Sequence, residues 1–225
     1  MKLLTMFGGV ALVLVMCLMT PTQPVMAAEF TGSLSVGANG GGGFHLSGSA
    51  LDFTRDVPLS ARLSMGYFSS SAGDPYAARH VFINDNTNGS PEDDAHQWQF
   101  RFDLMFPAFQ FGPQQIYVFG GPRYARYTAN FNYVGGNENF EVVANPWGFG
   151  AGLETRFAIG SRTSLQLQLG LDRYQDTALT GHDTTYTPDG DHINDRDGYD
   201  YGSADEAVDQ PDLEIMAMMG LMVGF

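Results

Sequence analysis

PDLEIMAMMGLMVGF, residues 211–225, alternates with a strict period of two. Counted back from the terminal aromatic, Val223, Leu221, Met219, Ala217, Ile215 and Leu213 form an unbroken apolar row. The other register holds Gly224, Met222, Gly220, Met218, Met216, Glu214 and Asp212. That period marks a β-strand with two unlike faces. An apolar row opposite a small-to-polar row suits a strand with lipid outside and a packed or wet interior.

The same pattern recurs upstream and gives eight candidate strands. In the first, Gly32, Leu34, Val36 and Ala38 share a face up to the NGGGG tip at 39–43. The second, about 44–54, changes parity between Ala50 and Leu51, which predicts a bulge or a shorter strand. A tight turn is expected at 55–58. The third sets Leu59, Leu63, Met65 and Tyr67 against Ser60, Arg62, Ser64 and Gly66, and a polar excursion follows over 69–95. The fourth alternates Trp98, Phe100, Phe102, Leu104 and Phe106 with polar partners, and 107–113 reads as a short turn.

The fifth, 115–133, carries an aromatic row of Tyr117, Phe119, Tyr127, Phe131 and Tyr133 that is expected to face outward. Arg123 interrupts that row beside Gly120-Gly121-Pro122, which predicts a bulge. The sixth points Trp147, Phe149, Ala151, Leu153 and Phe157 outward; the seventh sets Leu165, Leu167, Leu169 and Leu171 against Gln166, Gln168, Gly170 and Asp172. The fold class is therefore all-β, an eight-stranded antiparallel transmembrane β-barrel wound as an up-and-down meander. No second apolar run reaches helical spanning length, and a closed barrel is the other way to satisfy backbone groups in lipid.

Aromatic placement sets the height of that barrel. With alternating short and long connections, Trp98, Trp147, Tyr67 and Tyr133 collect at the outer rim and Phe30, Phe106, Phe157 and Phe225 at the inner one. From Trp98 to Phe106 a strand rises about 27 Å, which a tilt of about 40° reduces to roughly 21 Å, near the expected apolar band.

A final amphipathic strand ending on Phe225 resembles the last strand of bacterial outer-membrane β-barrels. The segment PWGFGAGLETRFAIGSRTSLQLQLGLDRY, 146–174, is similar to a hairpin of the small eight-stranded opacity-porin and outer-membrane-protein A type barrels. The resemblance implies the bacterial outer membrane as compartment, outer-membrane lipid as surroundings, and Phe225 as part of the signal read by the barrel insertion machinery.

Composition bounds the rest. Residues 1–27 read as a cleaved signal peptide, with Lys2, an apolar run and a small-residue site at Val25-Met26-Ala27, leaving 28–225 as the barrel domain. Cys17 leaves with that segment, so no disulfide is available to the domain. The net charge of −14 excludes nucleic acid as a partner, since phosphate binding needs a basic face.

Candidate sites follow from the inward rows. Arg62, Arg101, Asp103, Glu154, Arg156, Asp172 and Glu214 are expected to form a polar network filling a lumen just wide enough for side chains. A channel for small apolar solutes past Met216, Met218 and Met222 is the alternative. His45 and Ser47 share a strand face, similar to the His and Ser spacing of outer-membrane lipid A deacylases, which implies a second alternative, a membrane-embedded lipid esterase. In the acidic loop, Asp189, Asp191, Asp195, Asp197 and Asp200 are candidate ligands for a divalent cation such as Ca²⁺, although the EF-hand register is incomplete. No cofactor is implied. The leading expectation is a non-enzymatic outer-membrane barrel with a structural, surface-interaction or minor permeability role carried by long acidic loops.

Overall fold

The computed structural model describes residues 29–52, 58–136 and 138–225; the expected signal segment and most of the expected turn at 55–58 lie outside them. Eleven strands and two helices follow in chain order: β1 (Glu29–Asn39), β2 (Gly42–Leu51), β3 (Ser60–Ser70), α1 (Pro75–Phe82), β4 (Ser90–Phe111), β5 (Gln114–Val134), β6 (Asn139–Ala144), β7 (Trp147–Ala158), β8 (Thr163–Tyr174), β9 (Leu179–Gly181), β10 (Thr184–Tyr186), α2 (Tyr201–Ala207) and β11 (Leu213–Gly224).

Eight of these strands close into a ring. Antiparallel pairing runs β1-β2-β3-β4-β5-β7-β8-β11, and β11 returns to β1 in register from Thr31↔Gly224 to Asn39↔Met216. The chain therefore forms the expected all-β meander, with every edge of the ring paired. Closure removes the open edge that would leave backbone groups unsatisfied in lipid.

The alternation read from the sequence becomes an inside and an outside. Leu34 pairs across from Leu221 and Val36 from Met219, and all four point outward and stay exposed. Leu169, Leu171 and Ile215 continue the belt on β8 and β11. An apolar surface of this extent marks contact with membrane or partner rather than water. The girdles also form: Tyr67 meets Trp98 edge-on with centroids 5.0 Å apart, and Tyr124 lies 5.0 Å from Trp147. Phe30, Phe106 and Phe225 are exposed at the other end.

Three expectations are corrected. Of the two alternatives for β2, the misplaced boundary of a shorter strand holds and the bulge does not: the strand ends at Leu51 and pairs with β1 and β3 without a register shift, and Leu51 points inward. β5 is likewise continuous from Ile116↔Thr155 to Tyr124↔Trp147, and its aromatic row faces inward, not outward. Tyr133 is accordingly absent from the outer girdle. Pro107 to Phe111 is strand, with the turn at Gly112-Pro113 and a register shift between Pro107 and Phe109.

The inward row of β5 is aromatic because β4 and β5 run well past the barrel. There β6 pairs with Tyr127 to Asn132 of β5, β9 adds to β6, and β10 to β9, giving a curved sheet. The excursion at 69–95 contributes α1, and the long acidic loop contributes α2. Both helices pack on the concave face, where Phe82, Tyr127, Phe131, Tyr133, Phe140 and Tyr186 form a buried core. Their polar ends are bonded: Tyr127 Oη donates to the Ser71 carbonyl at 2.8 Å and Tyr186 Oη to that of Val81 at 3.0 Å. Burial pushes the Tyr133 hydroxyl up to about 12. This unit caps one end of the barrel.

Capping chemistry explains why two short helices form there. Asp74 accepts from the backbone N–H of Tyr76 and Ala77, and Pro75 occupies the first turn, where no N–H is missed. Asp200 accepts from the Ser203 N–H at 2.9 Å, which holds its carboxyl below the usual range. The long loops are folded structure.

Candidate functional site

The lumen gathers the inward charges from six strands, β3, β4, β5, β7, β8 and β11. Among the described residues, four guanidinium groups (Arg62, Arg101, Arg123, Arg156) face four carboxylates (Asp103, Glu154, Asp172, Glu214). All are buried except the edge of Arg156. Charges in such an interior must be paired to be tolerated.

Arg62 on β3 is the bridge between opposite sides. Its Nη2 lies 2.8 Å from Asp103 Oδ2 on β4, its Nε donates to the same oxygen at 3.2 Å, and its Nη1 donates to Glu154 on β7. Arg156 Nε donates to the other Glu154 oxygen, Oε1, at 2.6 Å, and Gln168 Nε2 donates at 3.2 Å to Oε2, the oxygen that Arg62 uses. Toward the cap, Arg123 Nη2 sits 2.8 Å from Asp103 Oδ1, an ion pair without hydrogen-bond alignment, while its Nε donates to Asp172 at 2.7 Å. Arg101 is 3.9 Å from Asp172 and 4.0 Å from Asp103. The chain of contacts crosses the barrel.

Neutral amides finish the network below the cap. Asn39 donates to Gln99 at 2.7 Å and to Asp172 at 2.9 Å; Gln97 and Gln99 donate to Glu214 at 2.6 and 2.9 Å. An apolar cluster of Phe68, Met105, Phe119, Met216 and Met218 fills space beside it, with the Arg62 guanidinium 4.9 Å over the Phe119 ring. The seven network residues expected from the sequence are thus brought into one lumen. Arg123 and Asn39 were not expected there, whereas Gln97 and Gln99 share the inward row of Arg101 and Asp103 and were not counted in the network. The inward parity of Arg123 was hidden by the aromatic row around it, and the outward neighbours Gly120 and Pro122 gave no apolar row to contradict it.

The other candidates are not assembled. Ser47 Oγ donates to Ser64 Oγ at 2.9 Å, and His45 stacks edge-on to Phe68 at 4.9 Å with Nδ1 3.5 Å from an Arg101 nitrogen. No hydrogen bond joins His45 to Ser47 among the described residues, and an adjacent Arg⁺ opposes a general-base role. Met216 and Met218 are packed rather than lining an open path. In the acidic loop Asp189 accepts from Thr187, Asp200 caps α2, and the intervening Arg196 pairs with Asp85 at 3.2 Å. Among the described residues no three Asp, Glu, His or Cys side chains converge on a cation position, so Asp189, Asp191, Asp195, Asp197 and Asp200 do not form the expected ligand set.

No protein-family model matches the chain, and no curated protein matches it. Among solved structures, it is similar to a major outer membrane protein from Thermus thermophilus, at 22% identity and a TM-score of 0.73, with 89% of this chain and 100% of that one covered. Neisserial surface protein A covers 90% of this chain and 100% of its own at 10% identity and a TM-score of 0.40. The first likeness establishes a shared fold.

Proposed function

We propose, from the premise that the chain is a small outer-membrane β-barrel, that it is a plugged, non-enzymatic barrel whose working part is the folded acidic cap held at the cell surface. The observation that carries this reading is the charge network bridging opposite walls, from Arg156 through Glu154, Arg62, Asp103 and Arg123 to Asp172. An eight-stranded lumen is narrow enough for such side chains to fill. Conduction would require that buried, paired charges separate, which is strongly unfavourable.

The cap fits a presenting role. Its exposed edge carries Glu92, Asp93 and Asp94 on β4 and the acidic loop at 183–209, so a basic surface is the complementary partner class. Function on such proteins is commonly carried by loops on a rigid scaffold. Outer-membrane lipid bathes the apolar belt, and Phe225, the most exposed of the large apolar residues described, is available to insertion machinery.

Two measurements test the reading together. Full-length mature protein in a planar bilayer should show no stable conductance steps, and an epitope placed after Gly190 should be detected on intact cells. Steady ohmic steps from the wild-type protein would return the channel reading, and an epitope reachable only after lysis would remove the surface role. Lipid mass unchanged on expression would accord with the absence of a coupled His45 and Ser47.

A further inference from the structure

The wall of the barrel is uneven at the cap end. β1 and β2 turn at Gly40-Gly41, while β4 and β5 continue upward into the cap. Between that low hairpin and the overhanging cap lies a recess of about 360 Å³, lined by Gly40, Ser70, Asp209, Gln210, Asp212 and Glu214. It reaches the Glu214 end of the lumen.

We infer that this recess is a binding site for a small organic cation bearing N–H donors, an ammonium or a guanidinium. Its polar lining is dominated by acceptors. Glu214 is buried, and its two oxygens receive only the neutral amide donors of Gln97 and Gln99. Each carboxylate oxygen can accept a second bond. Gln210 is 8% exposed and lines the recess, and its Nε2 is used by the Tyr201 hydroxyl and Asp205 while its Oε1 has no donor at all. The Oε1 atom is itself closed off from solvent, so a ligand N–H reaches it only through a small turn of the Gln210 amide; an acceptor left without a donor in a buried site is unfavourable, and a ligand that brings one relieves it.

Neighbouring cations do not meet this need. Arg173 pairs with Asp212 on the exposed side, and Arg101 and Arg123 are engaged with Asp172, Asp103 and the Met216 sulfur. A bare metal ion is the poorer match, because among the described residues no three candidate ligand side chains converge. Gly40 keeps the approach open: a side chain there would overlap the Glu214 carboxylate and the Gln97 amide, and its φ of 68° favours glycine. The site stands whether or not the lumen below it conducts.

The test is titration of refolded full-length mature protein with butylammonium, followed by amide chemical shifts around Gly40, Ser70 and Gln210. Saturable shifts are expected at millimolar ligand, with n-butanol inert and tetramethylammonium, which has no N–H, about tenfold weaker. Glu214→Gln and Gln210→Met should each weaken binding by about tenfold. Absence of saturable shifts, equal binding of tetramethylammonium, or displacement of butylammonium by lower concentrations of Ca²⁺ would overturn the assignment. Should Glu214→Gln lose the heat-modifiable migration of the folded barrel, Gln210→Met decides alone, and unchanged binding in that variant also overturns it.

Discussion

Arg123 on β5 and Asp103 on the adjacent strand β4 are diagonal neighbours on the lumen side of one wall, Nη2 to Oδ1 at 2.8 Å, and each has a second close ion-pair partner, Asp172 for the arginine and Arg62 for the aspartate. Asp103 is thus the carboxylate that Arg62 and Arg123 share, with Arg101 farther off at 4.0 Å. Replacing it with Leu leaves Arg62 dependent on Glu154 and Arg123 dependent on Asp172. Breaking a buried pair from one side costs about 3–5 kcal/mol. Urea titration of the refolded protein in vesicles, read by Trp98 and Trp147 fluorescence, should show a loss of that size. A change under about 1 kcal/mol, the range of exposed pairs, would mean the lumen is wet and the charges are solvated.

Leu169 and Ile193 are nearly equally exposed, 63% and 61%, but in different solvents: Leu169 lies on the lipid belt of β8 and Ile193 in the acidic loop of the cap. Leu169→Arg should cost about 2–4 kcal/mol in a bilayer refolding titration. Ile193→Arg, in water among aspartates, should fall within about 0.5 kcal/mol of wild type. Equal penalties would show that the bilayer does not bathe the belt.

The barrel was legible because seven of its strands obey one rule, an unbroken apolar row outward against a small, polar or methionine-bearing row inward, over their membrane length. β11 and β8 show it most plainly, with Leu213 to Val223 and Leu165 to Leu171 outward. β5 defeats the rule because it crosses two environments. In its lower part the inward side chains Phe119 and Arg123 face the lumen, and in its upper part Tyr127, Phe131 and Tyr133 face the core of the cap. An aromatic row in a barrel strand means lipid only while the strand is in the membrane. The cap escaped notice for a related reason: its apolar residues, such as Phe82, Phe140 and Tyr186, are scattered through polar segments and meet only in three dimensions.

Phe82 on α1 packs edge-on against Tyr186 of β10, 5.5 Å between centroids, and lies 6.3 Å from Phe140 of β6. It joins three chain segments that have no contact in sequence. Phe82→Ala should cost the cap about 3–5 kcal/mol, while leaving the barrel closed. Proteolysis should then cut within 183–209 on a protein that keeps its heat-modifiable migration. Loss of both together would show that cap and barrel unfold as one unit.

Asp200 gives the cap a dependence on pH of known sign. Its carboxylate accepts the Ser203 N–H and the Ser203 hydroxyl, both at 2.9 Å, and these bonds hold its pKa below the unfolded value of about 3.9. A group with a depressed folded pKa contributes stability that is fully present above the unfolded value and lost as pH falls through the folded one. Protonation therefore weakens the N-cap of α2 only in acid, below about pH 3.9. Amide exchange across 201–207, corrected for the intrinsic pH dependence, should lose protection in that window in the wild type. Asn caps a helix as well as Asp does but does not titrate, so Asp200→Asn should keep α2 and flatten the acid limb. Persistence of the same acid limb in Asp200→Asn would place the titrating group elsewhere in the loop, with Asp189, whose carboxyl is also held low by Thr187, the first to replace.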